Sequence, residues 1–229
     1  MNALIKDEAY QTNPEADAID MVARLSDRFH NTGLVMPATQ RTIYEGIAKK
    51  IVVNDKASAK KTVADVGCGL GIGSYILSNE ARFVWGVDKS AENVSFAQQM
   101  YAGSLKMRFD ALDINDFPRE VAKFSVVACV EVLEHIADPE KAIAFLKRLM
   151  GPLGSSVGWV TLPNRNSPLL QKDKPRNPFH VAEPTASELY DFLTKHFKYV
   201  VLYAPDLETL VDLDTDVTPV VCKIEEPLP

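Results

Sequence analysis

VADVGCGLGIGS, residues 63–74, places glycines at 67, 69, 71 and 73 directly behind an apolar stretch that carries the carboxylate Asp65. The pattern predicts a buried strand that runs through a glycine turn into the start of a helix. Gly67, Gly69 and Gly71 permit tight turning and let main chain approach a ligand closely, and the helix start offers unpaired N–H donors. In an open parallel sheet, ligands bind outside the carboxyl ends of the strands, where strand order reverses. A purely structural turn is the competing reading of the same glycines. The spacing discriminates between ligand classes. A dinucleotide fingerprint needs Gly-x-Gly-x-x-Gly, but counted from Gly67 its last position is Ile72, and counted from Gly69 it is Ser74. Asp65 would repel a pyrophosphate and could accept from an ammonium, so a cationic amino-acid moiety fits better than a phosphate.

Outward from that turn the chain alternates. Strands are expected at 62–66, 83–87, 105–109, 124–130, 157–162, 198–204 and 218–224, with helical patterns between most of the earlier ones. Alternation of this kind predicts an α/β, Rossmann-like doubly wound sheet, seven-stranded and mostly parallel, with helices on both faces. The last two strands are joined by an acidic, helix-poor connection, which predicts an antiparallel last strand. Pro37 opens a helix through Ile43, Ile47 and Ile51, Asp138 and Pro139 cap another, and Thr185 with Glu188 has capping-box spacing. Residues 1–36 carry an amphipathic pattern at Ile19, Met21, Val22, Leu25 and Phe29 and form an expected N-terminal helical extension or substrate cap. Residues 37–229 form one expected catalytic domain.

The 229 residues, 46% hydrophobic, are enough to bury one large core. No apolar run approaches the ~20 residues of a membrane span, and the N-terminus lacks the charged-then-apolar order of a signal peptide, so a cytoplasmic protein without a transmembrane segment is expected. Cys68, Cys129 and Cys222 are far apart in apolar segments and are expected as small core residues. A net charge of −6 argues against broad nucleic-acid binding. One basic cluster runs against it: Arg165, Lys172, Lys174 and Arg176, on a proline-punctuated loop. That cluster is expected as solvated surface, with an anionic small substrate as the other reading.

VADVGCGLGIGS resembles the first motif of class I S-adenosylmethionine-dependent methyltransferases, and three further segments follow in that family's order. FVWGVDKS resembles the second strand, whose terminal acid, here Asp88, accepts from the ribose hydroxyls. MRFDALDIND resembles the adenine segment, with Asp113 for the exocyclic amine and Ile114 as its apolar neighbour; Asp110 and Asp116 leave the register open. VVACVEVLEHIADPEKAI resembles the fourth strand and its loop, with Val130 and Glu131 beside the methionine moiety. The resemblance covers about residues 60–165 and implies S-adenosylmethionine as cofactor, held by Asp65, Gly67, Cys68, Gly69, Gly71, Asp88, Lys89, Asp113, Ile114, Val130 and Glu131.

Methyl transfer is an in-line displacement at an already activated sulfonium carbon, so the protein mainly aligns the acceptor. A hydroxyl acceptor must also lose a proton, for which a general base contributes roughly 10²–10⁴-fold or a metal lowers the hydroxyl pKa. EVLEH supplies candidates. If the segment is helical, Glu131, Glu134 and His135 share one face, and with His180 they form a set suited to Mg²⁺ or Mn²⁺. His135, His180 and Glu134 are the expected catalytic residues. An ion-paired Glu134 with His135 as a wall residue is the bland reading. The ubiquinone-biosynthesis O-methyltransferases have a similar EVLEH, and small-RNA 2′-O-methyltransferases use Glu-x-x-Glu-His plus a later histidine. The resemblance therefore implies an O-methyltransferase of a small molecule or glycan. A metal-dependent RNA 2′-O-methyltransferase and a non-catalytic S-adenosylmethionine-binding subunit are the alternatives.

Overall fold

The computed structural model describes residues 36–53, 61–117, 120–152, 154–170, 177 and 179–229. The expected N-terminal extension up to residue 35, and Lys172, Lys174 and Arg176 of the basic loop, lie outside the described residues. The elements are α1 (Ala38–Val53), β1 (Thr62–Val66), α2 (Ile72–Ser78), β2 (Phe83–Asp88), α3 (Ala91–Met100), β3 (Met107–Ala111), β4 (Val126–Val130), α4 (Pro139–Leu149), β5 (Val157–Leu162), α5 (Ala186–Leu193), β6 (Phe197–Tyr203) and β7 (Val220–Pro227). Short 3-10 turns follow β4 at Leu133–His135 and β5 at Pro168–Leu170.

All seven strands lie in one sheet of order β3-β2-β1-β4-β5-β7-β6. Every pairing from β3 to β5 is parallel, while β7 runs antiparallel to both β5 and β6. The antiparallel end follows from the connection 204–217, which holds no crossover helix. β1 and β4 are central and buried at nearly every position, as strands covered on both faces must be. Between them strand order reverses, with Asp65 in register with Ala128. The turns leaving β1 and β4 therefore open side by side at the carboxyl edge of the sheet.

Helices cover both faces. On one, Ile43, Ile47 and Ile51 of α1 pack with Val63, Val84, Val126 and Trp159. On the other, Ile143, Phe145, Leu146 and Leu149 of α4 pack with Ala64, Val66, Val127 and Val160. Each such side chain contributes roughly 1.5–3 kcal/mol when fully buried. The caps form as expected: the Asp138 side chain accepts from Lys141 N ahead of Pro139, and Thr185 and Glu188 close a reciprocal capping box on α5. Cys68, Cys129 and Cys222 are free thiols, all buried. Among the described residues no helix is long and apolar enough to cross a membrane.

Several expected bounds shift: β4 begins at Val126 rather than 124, β6 spans Phe197–Tyr203 rather than 198–204, and β7 spans Val220–Pro227 rather than 218–224. β3 begins at Met107, two residues late, because Leu105 is fully exposed in the preceding turn. The segment after β4 is not an α-helix. Glu131 takes a left-handed φ of 55° and only Leu133–His135 wind into a 3-10 turn, so Glu131, Glu134 and His135 do not share a helical face.

Candidate active site

The glycine turn has the conformation its residues permit. Gly67, Gly69 and Gly71 have φ of 72°, 53° and 82°, in the left-handed region that side chains avoid. A Cβ at Gly67 would stand 2.3 Å from Val132 Cγ2, so the β1 turn lies directly against the β4 turn. Gly67 N and Cys68 N donate to Val87 O at 2.8 and 3.0 Å, and Gly69 N donates to Asp88 Oδ2 at 2.9 Å. Asp88 Oδ1 accepts from Ser90 N at 2.9 Å, and Ser90 in turn caps α3 through Asn93 N. Asp88 thus clamps the glycine turn from the end of β2. Each of its oxygens keeps acceptor capacity for a further donor.

Asp65 is not where the sequence reading put it. It is 0% exposed, below the turn, and its carboxylate accepts from Tyr44 Oη at 3.0 Å and Ser74 Oγ at 2.6 Å. Its carboxylate thereby ties α1 and the start of α2 to the end of β1. Burial pushes the Asp65 carboxyl up to about 6 against the two hydroxyl donors. Cys68 is buried, and burial likewise raises its thiol far above the usual range.

Along the third strand the three aspartates separate. Asp110 accepts from Trp85 Nε1 at 2.6 Å and pairs with Arg108 at 2.7 Å, so it is committed to the structure. Asp113 is exposed and folds into a turn in which its Oδ1 accepts from Asn115 N and Nδ2, both at 2.8 Å; those bonds hold its carboxyl below the usual range. Its other oxygen makes no hydrogen bond among those described, and neighbouring Ile114 packs on the core. Lys89 is exposed beside Asp88, and Val130 is buried at the end of β4.

The polar centre lies beyond β4. Glu131 N donates to Thr161 Oγ1 at 2.9 Å, and Thr161 Oγ1 donates back to Glu131 Oε1 at 2.8 Å. Glu134 is 1% exposed and neither carboxylate oxygen has a hydrogen-bond partner. The nearest positive partner available to it is His135 Nε2, 4.0 Å from Oε1 and beyond hydrogen-bond length. Burial first, then the charge of Glu131, drives the Glu134 carboxyl upward, and burial drives Glu131 the same way. His135 Nδ1 bonds Phe179 O at 2.9 Å, and burial lowers its pKa. The His135 and His180 rings meet edge to face at 4.9 Å.

The strap carrying His180 is tied to this turn: Val181 N and Ala182 N donate to Glu134 O, at 2.6 and 3.4 Å. His180 Nδ1 lies 2.8 Å from Glu183 Oε1, and its Nε2 lies 3.0 Å from Asn177 Nδ2. Arg165 NH1 bonds Glu183 O while its other nitrogen forks onto Glu188 at 2.7 and 2.8 Å. Glu134, His135 and His180 offer donor atoms that all lie within 4.8 Å of one another. Glu131 does not join that group, because Thr161 turns its carboxylate aside. Tyr44, Ser74, Thr161, Asn177 and Glu183 are site residues the sequence reading missed. Asn177 and Glu183, each three residues from His180, had a local signal.

Comparison with known proteins accords with this geometry. Residues 64–157 match the family model described as a methyltransferase domain. A probable S-adenosylmethionine-dependent methyltransferase of Mycolicibacterium smegmatis is 30% identical over 135 residues, 59% of this chain and 51% of that protein. Over residues 64–157 the chain is similar to S-adenosylmethionine-dependent methyltransferases. Ubiquinone biosynthesis O-methyltransferase of Coxiella burnetii is 33% identical over 107 residues, 46% of this chain and 45% of the relative. The chain thus spans about half the length of the curated relatives it matches. Among solved structures, plantazolicin methyltransferase BpumL with S-adenosylhomocysteine superposes on this chain at TM-score 0.63 and 16% identity, covering 95% of this chain and 92% of that one. The [4+2]-cyclase SpnF superposes at TM-score 0.56 and 19% identity, covering 71% and 58%. At such identities the likeness carries the fold alone.

Proposed function

We propose that the chain binds S-adenosylmethionine across the carboxyl ends of β1 to β4 and transfers its methyl group to an oxygen of a small molecule or glycan. In this reading Gly67, Cys68, Gly69 and Gly71 give the cofactor a bare main-chain floor, and Lys89 lies at its rim. Asp88 takes the ribose hydroxyls with its spare acceptor capacity, Asp113 takes the adenine amine with its open oxygen beside Ile114, and Val130 and Glu131 flank the methionine end. Asp65 acts from beneath the turn.

The Glu134–His135–His180 cluster is the proton-handling end of the site. As the acceptor oxygen bonds to the methyl carbon, the carbon–sulfur bond breaks and the hydroxyl proton leaves to an imidazole nitrogen. His135 Nε2 is the open one, because Nδ1 is committed to Phe179 O. Glu134, 4.0 Å away, balances the imidazolium that forms. The single observation that carries this reading is Glu134 itself: a carboxylate with no hydrogen-bond partner is not buried beside two imidazoles without cost. The same donors fit a Mg²⁺ or Mn²⁺ ion, since oxygen and imidazole ligands suit both; such an ion, when bound, lowers the pKa of a coordinated hydroxyl.

The test is single-turnover transfer from methyl-labelled S-adenosylmethionine to a panel of catechols, sugars and pooled metabolites, with Mn²⁺ or with chelator. Label on an oxygen, lost in a Glu134→Gln, His135→Ala double variant, is expected. Labelled nitrogen or carbon products, or undiminished transfer by the variant, contradicts the proton-handling assignment. Bound cofactor with no transfer to any acceptor favours a non-catalytic subunit. The charge of −6 opposes an RNA acceptor.

A further inference from the structure

The deepest polar contact of the cofactor edge lies outside the cleft. Asp65 has no exposed surface, yet it stands in β1 two residues before the glycine turn, and two hydroxyls from separate helices converge on it. Ser74 comes from α2, the helix that continues the turn. Tyr44 comes from α1, which contributes no residue to the cofactor set and is anchored in the core by Ile43, Ile47 and Ile51.

The Tyr44 ring reaches Asp65 by crossing Gly73. A Cβ at Gly73 would stand 2.2 Å from Tyr44 Cζ, so the approach requires a glycine there. Tyr44 is itself buried, and its hydroxyl donates to Oδ1 while Ser74 occupies Oδ2. The fourth glycine of the motif therefore serves α1 rather than the ligand.

We propose that Tyr44 is a positioning residue for the cofactor, holding the Asp65 carboxylate beneath the glycine turn and thereby coupling cofactor affinity to a helix outside the cofactor site. The proposal rests on the S-adenosylmethionine reading above. A carboxylate charge directly under the turn attracts the ammonium of the methionine moiety, and hydroxyl donors favour the charged form that burial opposes. The titratable groups that face Asp65 are Tyr44 from α1, Cys68 from the turn, Asp88 from the end of β2 and Cys129 from β4. None is a base that could supply the positive charge, so the hydroxyls are its direct support.

The experiment is calorimetric titration of S-adenosylhomocysteine, which keeps the ammonium, from pH 5 to pH 8. It uses the full chain, Tyr44→Phe, Ser74→Ala and Asp65→Asn, each checked for a cooperative urea transition. Because the Asp65 carboxyl sits at about 6, protonation weakens wild-type binding about tenfold at pH 5 relative to pH 8. Tyr44→Phe removes one donor, which moves the inflection to higher pH and weakens binding at pH 7; Ser74→Ala moves it the same way. Asp65→Asn flattens the profile. A wild-type affinity and profile in Tyr44→Phe overturns the proposal, as does an undiminished pH dependence in Asp65→Asn. Should Tyr44→Phe not fold, Ser74→Ala decides between the same two results. No binding by wild type at any pH overturns the cofactor reading itself, and the positioning role with it.

Discussion

A Glu134→Met variant gains stability and loses methyl transfer. Glu134 is 1% exposed, both of its oxygens lack a hydrogen-bond partner, and the His135 imidazole Nε2 stands 4.0 Å from Oε1. The native site therefore carries the desolvation of an acid without the contacts that normally offset it. Methionine has the same unbranched reach and no polar atoms, and the main-chain bonds from Val181 and Ala182 to Glu134 O do not depend on the side chain. Burial lifts the Glu134 carboxyl to about 9, so at neutral pH the group is protonated, and replacing an unpaired buried carboxyl by apolar bulk of the same shape removes a desolvation cost of about 1–3 kcal/mol. In a chain of this size that raises Tm by about 2–4 °C for each kcal/mol. Differential scanning calorimetry in the presence of chelator reads the shift. Mn²⁺ binding at a hundred times Kd raises wild type by about 2.7 kcal/mol and the variant not at all, so the gap between them narrows by that amount. A chelated variant that melts below wild type refutes the reasoning, because Glu134 would then be making a contact worth more than its desolvation.

Gly67→Ala forces a side chain to φ 72° with its Cβ 2.3 Å from Val132 Cγ2. Left-handed strain of about 1–2 kcal/mol and overpacking of about 1–3 kcal/mol should lower the urea midpoint by their sum, while Gly103→Ala, with open space around it, leaves the midpoint near wild type. Asp65 gives a stability signature in pH. Its folded pKa of about 6 exceeds the ordinary aspartate value of 3.8. The folded state therefore holds the proton more tightly, and stability falls as pH rises through that window. Relative to Asp65→Asn, wild type should lose about 3 kcal/mol between pH 3 and pH 7 and stay level above; urea titrations across that range check the slope. Thr185→Ala breaks the capping box of α5 and should lower stability by about 1 kcal/mol in the same assay.

What the sequence made legible was local. Strand β1 at 62–66, the Asp138–Pro139 start of α4 and the Thr185–Glu188 box each rest on residues within a few positions of one another, and each formed where expected. The glycine turn was legible because only glycine tolerates its φ values, and the antiparallel β7 because no crossover helix fits in the connection before it. Asp113 separated from Asp110 only in three dimensions, where Trp85 and Arg108 claim the latter. The support beneath Asp65 is not legible in the sequence because its partners are distant: Tyr44 precedes it by 21 residues in a helix whose apolar spacing conceals a polar tip. The grouping of Glu131 with Glu134 and His135 failed for another reason. Helical periodicity was assumed across a segment whose first residue adopts φ 55°, and Thr161, 30 residues on, holds that glutamate apart.

The most direct measurement is calorimetric titration of S-adenosylhomocysteine into the protein at neutral pH, alongside Asp88→Ala. Asp88 both clamps Gly69 and offers the acceptors assigned to the ribose. The account predicts saturable binding at one site per chain, weakened at least tenfold in the variant. Absence of binding by the wild-type chain, or equal affinity in Asp88→Ala, would contradict it.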